Sequence, residues 1–136
     1  MKPSLLFAQN DAATSRDCRT FFSGLGFLVE TASGGLECVA KLHSSKPDVL
    51  ILDQELRWGG ADGVLAVVEE SRELSRVPVI LIAENGRDSE FANYFLAPIV
   101  HWLPKPVDLR ELHDSICYAF EFCDTSSRRL SCLVRT

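Results

Sequence analysis

Asp53 closes the apolar run Pro47 to Asp53 (PDVLILD), and Lys105-Pro106 follows Ile99 to Leu103 (IVHWL). Gln9, Asn10 and Asp11 follow Ser4 to Ala8 (SLLFA). One carboxylate, one ammonium and an amide pair thus stand at the ends of short apolar runs. A carboxylate in such a place is a nucleophile, a metal ligand or a salt-bridge partner. Glu55 and Glu84 add carboxylates close to two of these ends. Other chemistries lack their motifs. AQNDAATS holds no glycine to cradle a phosphate, which counts against nucleotide and flavin binding. There is no GxSxG elbow for a nucleophilic serine. His43, His101 and His113 are isolated, and Cys18, Cys38, Cys117, Cys123 and Cys132 form neither a CxxC nor a Cys/His cluster of zinc spacing.

The elements that must hold these residues alternate along the chain. Ser4 to Ala8, Phe27 to Thr31, Asp48 to Leu52, Val77 to Ala83 and Ile99 to Leu103 read as strands buried on both faces. Between them run helical patterns. The first carries Cys18, Phe21, Phe22 and Leu25 and ends at Gly24-Leu25-Gly26; the second carries Leu36, Val39, Ala40 and His43. The third starts at an Asp62 N-cap and carries Val64, Val67 and Val68; a short fourth holds Phe91, Tyr94 and Phe95. The last shows Leu109, Leu112, Ile116 and Phe120 on one face. Strands alternating with helices predict an α/β fold, a doubly wound parallel sheet in three layers. Its ligand crevice lies beyond the carboxyl ends of the strands at the topological switch point, which for a flavodoxin-like strand order is between the first and third, where the residues above converge.

The composition narrows the function classes. A chain of 136 residues, 46% hydrophobic and 24% charged, suits one folded domain with its own core. A net charge of −5 gives no electrostatic footprint for nucleic acid or an anionic membrane. An odd number of cysteines, three of them on apolar helical positions, suits a reduced, cytoplasmic setting. The N-terminal segment has one Lys and a short apolar run, unlike a signal peptide, and no stretch approaches the ~20 apolar residues of a membrane span.

In this order and spacing, the motifs resemble a receiver domain of a bacterial two-component response regulator, over Ser4 to about Phe122. Pro47 to Asp53 matches the family's third strand and its phosphoaccepting aspartate. Asp62-Gly63 matches the start of its third helix, and VPVILIA its fourth strand. Lys105-Pro106, with Val107 and Leu109, matches its Lys-Pro and final helix, and GLGF (Gly24 to Phe27) its helix-to-strand turn. The resemblance implies the flavodoxin-like strand order 2-1-3-4-5 and a signalling module rather than an enzyme. A histidine kinase or phosphotransfer protein would donate a phosphoryl group to Asp53. Mg²⁺ would be held by acidic residues after strand one, with the backbone carbonyl of Glu55 contributing. Lys105 would pair with the phosphoryl oxygens. A Ser or Thr ending strand four, and an aromatic on strand five, would then move the output face.

Several residues depart from that pattern. Gln9 and Asn10 stand where the family has its acidic pair, and neutral amides bind a hard dication poorly. A one-residue shift would bring Asp11 into the second acidic position but break the GLGF match. Ala83 occupies the Ser/Thr switch position and has no hydrogen bond to give, while Trp102 keeps the aromatic one. The loop QELRWGGA lacks the family's Met-Pro pair; its Trp58 reads as a lid, a partner contact or a residue packed on the adjacent helix. Asp53 and Lys105 are expected to form an ion pair, and Lys105-Pro106 is a candidate cis bond. The expectation is an atypical receiver, impaired in Mg²⁺-dependent phosphorylation and acting through protein contacts. The alternative is a working receiver phosphorylated on Asp53. No cofactor is expected unless Glu55 or Glu84 rebuilds a Mg²⁺ site. Partners would be a kinase, a phosphotransfer protein or an output domain, or a second copy through Tyr118 and Phe122; nucleic acid and membrane are not among them. Residues 1–122 form the domain, and 123–136 a tail or the start of a linker.

Overall fold

The strands are the runs too apolar to face water: β1 (Ser4–Ala8), β2 (Leu28–Ala32), β3 (Val49–Asp53), β4 (Val79–Ala83) and β5 (Ile99–Pro104). In the computed structural model, which describes residues 2–58, 60–84 and 99–123, they pair in parallel in the order β2-β1-β3-β4-β5. The helices are α1 (Ala12–Gly24), α2 (Gly35–Ser45), α3 (Gly60–Glu70) and α4 (Leu109–Cys123). The expected short helix at Phe91, Tyr94 and Phe95 lies outside the described residues.

Two apolar layers sandwich the sheet. On one face Leu5, Phe7 and Ile51 meet Phe22 of α1 and Ile116 and Phe120 of α4. On the other, Leu6, Leu50 and Leu81 meet Leu42 of α2 and Leu65 of α3. Cys18 and Cys117 are buried thiols outside any disulfide in the first layer, and Cys38 is one in the second. Burial pushes the Cys18 thiol up to about 11 and that of Cys38 to about 12. At the amino end of the sheet, Asp48 accepts from the Ser4 backbone N–H at 2.8 Å and ties β1 to β3. No helix among the described residues is long and apolar enough to cross a membrane.

The structure corrects several expectations. β3 and β4 are buried throughout, but β2 and β5 each have a single neighbouring strand and do show a solvent face: Leu28 and His101 are exposed. β4 begins at Val79 rather than Val77, after Pro78, which has no N–H to give a ladder. β2 and β3 each start one residue later than the apolar pattern implies. The buried stripe of α2 is Gly35, Cys38 and Leu42; Leu36 sits in its first turn, 76% exposed. Asp62 is not an N-cap. α3 starts at Gly60, so Asp62 lies inside the first turn, where its charge favours the positive end of the helix dipole. The GLG turn behaves as its glycines suggest: Gly26 takes φ 96° and donates to Ser23 O at 3.0 Å, closing α1.

Candidate functional site

Because β1 and β3 are parallel neighbours, with Ala8 level with Leu52, both carboxyl ends open on the same rim. Gln9 follows one strand and Asp53 ends the other. Here the chain order reverses across the sheet, the position at which such folds form their crevice. Asp53 is 6% exposed, and both its oxygens are engaged. Oδ1 accepts from the Glu55 backbone N–H at 2.9 Å, and Oδ2 lies 3.0 Å from Lys105 Nζ. The cis Lys105-Pro106 bond follows β5 directly. Lys105 has a second carboxylate partner, Glu55 Oε1, at 2.8 Å. Burial pulls the Lys105 pKa down, but the hydrogen bonds and charges of Glu55 and Asp53 outweigh it, so the ammonium holds its proton above the usual lysine range. The same hydrogen bond, helped by the Lys105 charge, lowers the Glu55 pKa.

Asn10 is a staple between β1 and the loop after β3. Its Nδ2 donates to the Glu55 carbonyl at 2.9 Å, and its Oδ1 accepts from the Arg57 N–H at 2.9 Å. Gln9 is 8% exposed, and its side chain makes no hydrogen bond among the described residues. Asp11 is committed to α1 as its N-cap, accepting from the Ala13 N–H at 3.2 Å and from the Thr14 hydroxyl. The hydroxyl first, then the Ala13 N–H, lower its pKa.

The loop is anchored on its far side as well. α2 has Gly34 at its N-cap, with no side chain to cap it, and loop carbonyls do that work instead. Gly35 N–H donates to Arg57 O at 2.8 Å and Leu36 N–H to Trp58 O at 3.0 Å. Trp58 adopts φ 54°, and its indole lies over Gly34 with 75% of the residue exposed. A Cβ on Gly34 would meet Trp58 Cδ1 at 3.0 Å. Trp58 therefore packs at the start of α2 and does not line the Asp53 cavity; the lid reading is corrected.

Ala83 ends β4, 6% exposed, and presents a methyl group where a hydroxyl switch would stand. Trp102 is half-buried against the α2/α3 layer, level with Leu81. Glu84 is exposed in the turn after β4 and forms no ion pair with Lys105 among the described residues. The donor set does not fit a hard divalent cation. The Glu55 carbonyl already accepts an N–H, the Asp53 and Glu55 carboxylates are held by an ammonium, and Asp11 is committed to capping α1. Gln9 and Asn10 offer neutral amide oxygens, which leaves Asp17 as the other carboxylate on the cavity wall among the described residues. Among the described residues no group of three or more His, Cys, Asp or Glu is placed to hold a metal.

A cavity of about 330 Å³ opens beside Asp53, lined on one side by Lys105 and Pro106 and on the other by Thr14 and Asp17 of α1. Sequence reasoning missed Thr14 and Asp17. Their signal was helical spacing from Asp11, which puts them on the face turned towards the strand ends. Chemically, the arrangement is a buried carboxylate, Asp53, and an exposed one, Glu55, clamped on one lysine beside a loop fastened by an amide.

The family model for the response regulator receiver domain matches residues 5–117. The transcriptional regulatory protein CpxR homolog of Haemophilus influenzae is 32% identical over 108 residues, 79% of this chain and 46% of that protein. The phosphate regulon transcriptional regulatory protein PhoB of Rhizobium meliloti is 27% identical over 112 residues, 82% of this chain and 49% of that protein. The chain spans about half the length of the curated relatives it matches. Among solved structures, the Vibrio cholerae chemotaxis protein CheY4 superposes with TM-score 0.79 at 18% identity, over 88% of this chain and 99% of its own. A sensor protein from Polaromonas superposes with TM-score 0.82 at 16% identity, over 91% of this chain and 100% of its own.

Proposed function

Since the chain belongs to the response regulator receiver domain family, the signalling modules of two-component systems, we propose that it is an atypical receiver that works without Mg²⁺-dependent phosphorylation. The Asn10 amide carries this reading: its N–H occupies the Glu55 carbonyl, the oxygen that the family pattern offers to the cation. A donor hydrogen there repels a dication, and it also closes the loop that the cation would otherwise close. Lys105, clamped by Asp53 and Glu55, already has the anionic partners that a phosphoryl group would supply. Ala83 removes the hydroxyl stroke that would report it. The domain, residues 1–122, then serves as a docking platform for a kinase, phosphotransfer protein or output domain, with 123–136 as tail or linker, in a reducing cytoplasmic setting that suits its buried thiols. It catalyses no reaction of its own. Tyr118, 49% exposed on α4, is the side chain through which a second copy would dock.

The test is intact mass after acetyl phosphate with Mg²⁺, together with a titration of Mg²⁺ and beryllofluoride followed by amide shifts. No mass increment and no saturable shift at millimolar Mg²⁺ is the expected result. A phosphoryl increment that disappears in Asp53→Asn would replace this reading with that of a working receiver phosphorylated on Asp53.

A further inference from the structure

Gln9 lines two cavities, not one. Beyond it from Asp53 lies a second cleft of about 350 Å³, between α1, the carboxyl end of β2 and the first turns of α2. That volume is at the lower end of the range for small-molecule sites. Arg16 and Arg19, one helical turn apart on α1, line it together with Lys41 of α2. Arg19 donates to Thr31 Oγ1 at 3.1 Å, and Lys41 donates to the Thr31 carbonyl at 2.6 Å, so two cations reach one strand end from different helices. Lys41 is matched by Glu37 at 3.3 Å and Glu30 at 3.5 Å. Glu37, the carboxylate lining the cleft, is further engaged by the Ser33 N–H at 2.8 Å and the Ser33 hydroxyl at 3.0 Å.

The arginines are not matched in this way. Neither Arg16 nor Arg19 forms an ion pair among the described residues; the charge of Arg16 contributes, as the smallest of several causes, to the lowered pKa of the capping carboxylate of Asp11. The wall they face holds the Gln9 amide, more than nine-tenths buried and without a side-chain hydrogen bond among the described residues. The half-buried Ser15 hydroxyl lies beside it and is likewise unbonded among them. The Gln9 amide opens onto the clefts it lines, where its donor and acceptor face solvent and can be taken up by a ligand. Two guanidiniums supply planar paired donors, the geometry suited to carboxylate and phosphate oxygens.

We propose that this cleft binds a small ligand with an anionic head group, a carboxylate or a phosphate, seated between Arg16 and Arg19 and hydrogen-bonded by Gln9. It is a site separate from Asp53, and it stands whether or not Asp53 is phosphorylated. Sharing Gln9 gives it a direct wall in common with the Asp53 cavity.

The full chain is titrated with inorganic phosphate, and separately with acetate, at constant ionic strength with chloride as control, and backbone amide shifts are followed. Saturable shifts centred on Ser15 to Arg19 and Thr31 to Ser33 are expected, and they are unchanged in Asp53→Asn. Arg16→Gln with Arg19→Gln, both exposed helix positions that tolerate glutamine, weakens binding by about ten-fold or more. Gln9→Leu weakens it less while leaving the arginines in place. Saturation by one probe and not the other assigns the head group. Shifts that never saturate, that survive the double arginine variant, or that centre on Asp53 and Lys105 overturn the proposal.

Discussion

Asn10 and aspartate differ by an NH₂ in place of an oxygen, and that difference decides what the loop after β3 is tied to. Asn10→Asp keeps an acceptor for the Arg57 N–H but loses the donor to Glu55 O, so stability should fall by about 1 kcal/mol in urea denaturation. Gln9→Asp with Asn10→Asp frees the Glu55 carbonyl and supplies two carboxylates; saturable Mg²⁺-dependent amide shifts should appear where the parent shows none. Lys105→Met leaves the buried Asp53 carboxylate with only the Glu55 N–H, at a cost of about 2 kcal/mol once its partial exposure is allowed for. The clamp also sets a pH window. The Glu55 pKa is lowered on folding, so its share is present above the usual carboxylate value and lost as pH falls through the lower folded one. The Lys105 pKa is raised, so its share is complete below the usual lysine value and lost as pH rises through the higher folded one. Glu55 and Arg57 amide shifts should therefore stay flat between about pH 5 and 9 and move only outside it. The types and places of Asp53, Lys105, Gln9 and Asn10 were legible in the sequence, because strand ends fix them. That Glu55 turns to Lys105 and that Asn10 bridges to residues 55 and 57 was not, since no periodicity couples side chains across so long a stretch of chain.

Elements repeat the lesson at their ends. The five apolar runs announced the strands, yet which of them would be wetted depended on sheet order, and only the two edges, β2 and β5, expose side chains. For α2 the sequence stripe Leu36, Val39, Ala40, His43 competed with Gly35, Cys38, Leu42, and small or soft residues on the true inner face hid it. The two faces separate cleanly by mutation. Leu42→Ala should cost roughly 2–5 kcal/mol, whereas Leu36→Ala should stay within about 0.5 kcal/mol, both read from urea midpoints. Gly34 is constrained by what approaches it, not by its own extended backbone. Gly34→Ala pushes on Trp58 and on Arg57 O at 3.3 Å, and so on the carbonyls that cap α2; a loss of about 1 kcal/mol is expected in the same assay.

For the whole molecule, the strand order 2-1-3-4-5 came from the family resemblance, while the doubly wound α/β class was readable because alternating buried strands and amphipathic helices leave few other ways to cover both faces of a sheet. The staples that lock the rim were not, being formed by single side chains. Protection from hydrogen exchange should follow the sheet order, slowest in β1, β3 and β4 and faster at the edges β2 and β5, measured amide by amide. The three buried thiols carry this to a finer question. Cys18 and Cys117 sit under one helical layer and Cys38 under the other, with Cys18 and Cys38 poorly ionised while folded. Each layer thus carries its own alkylation clock. Labelling rates mapped by peptide mass would tell whether the two sides of the sheet come apart together or in turn, with no probe introduced from outside.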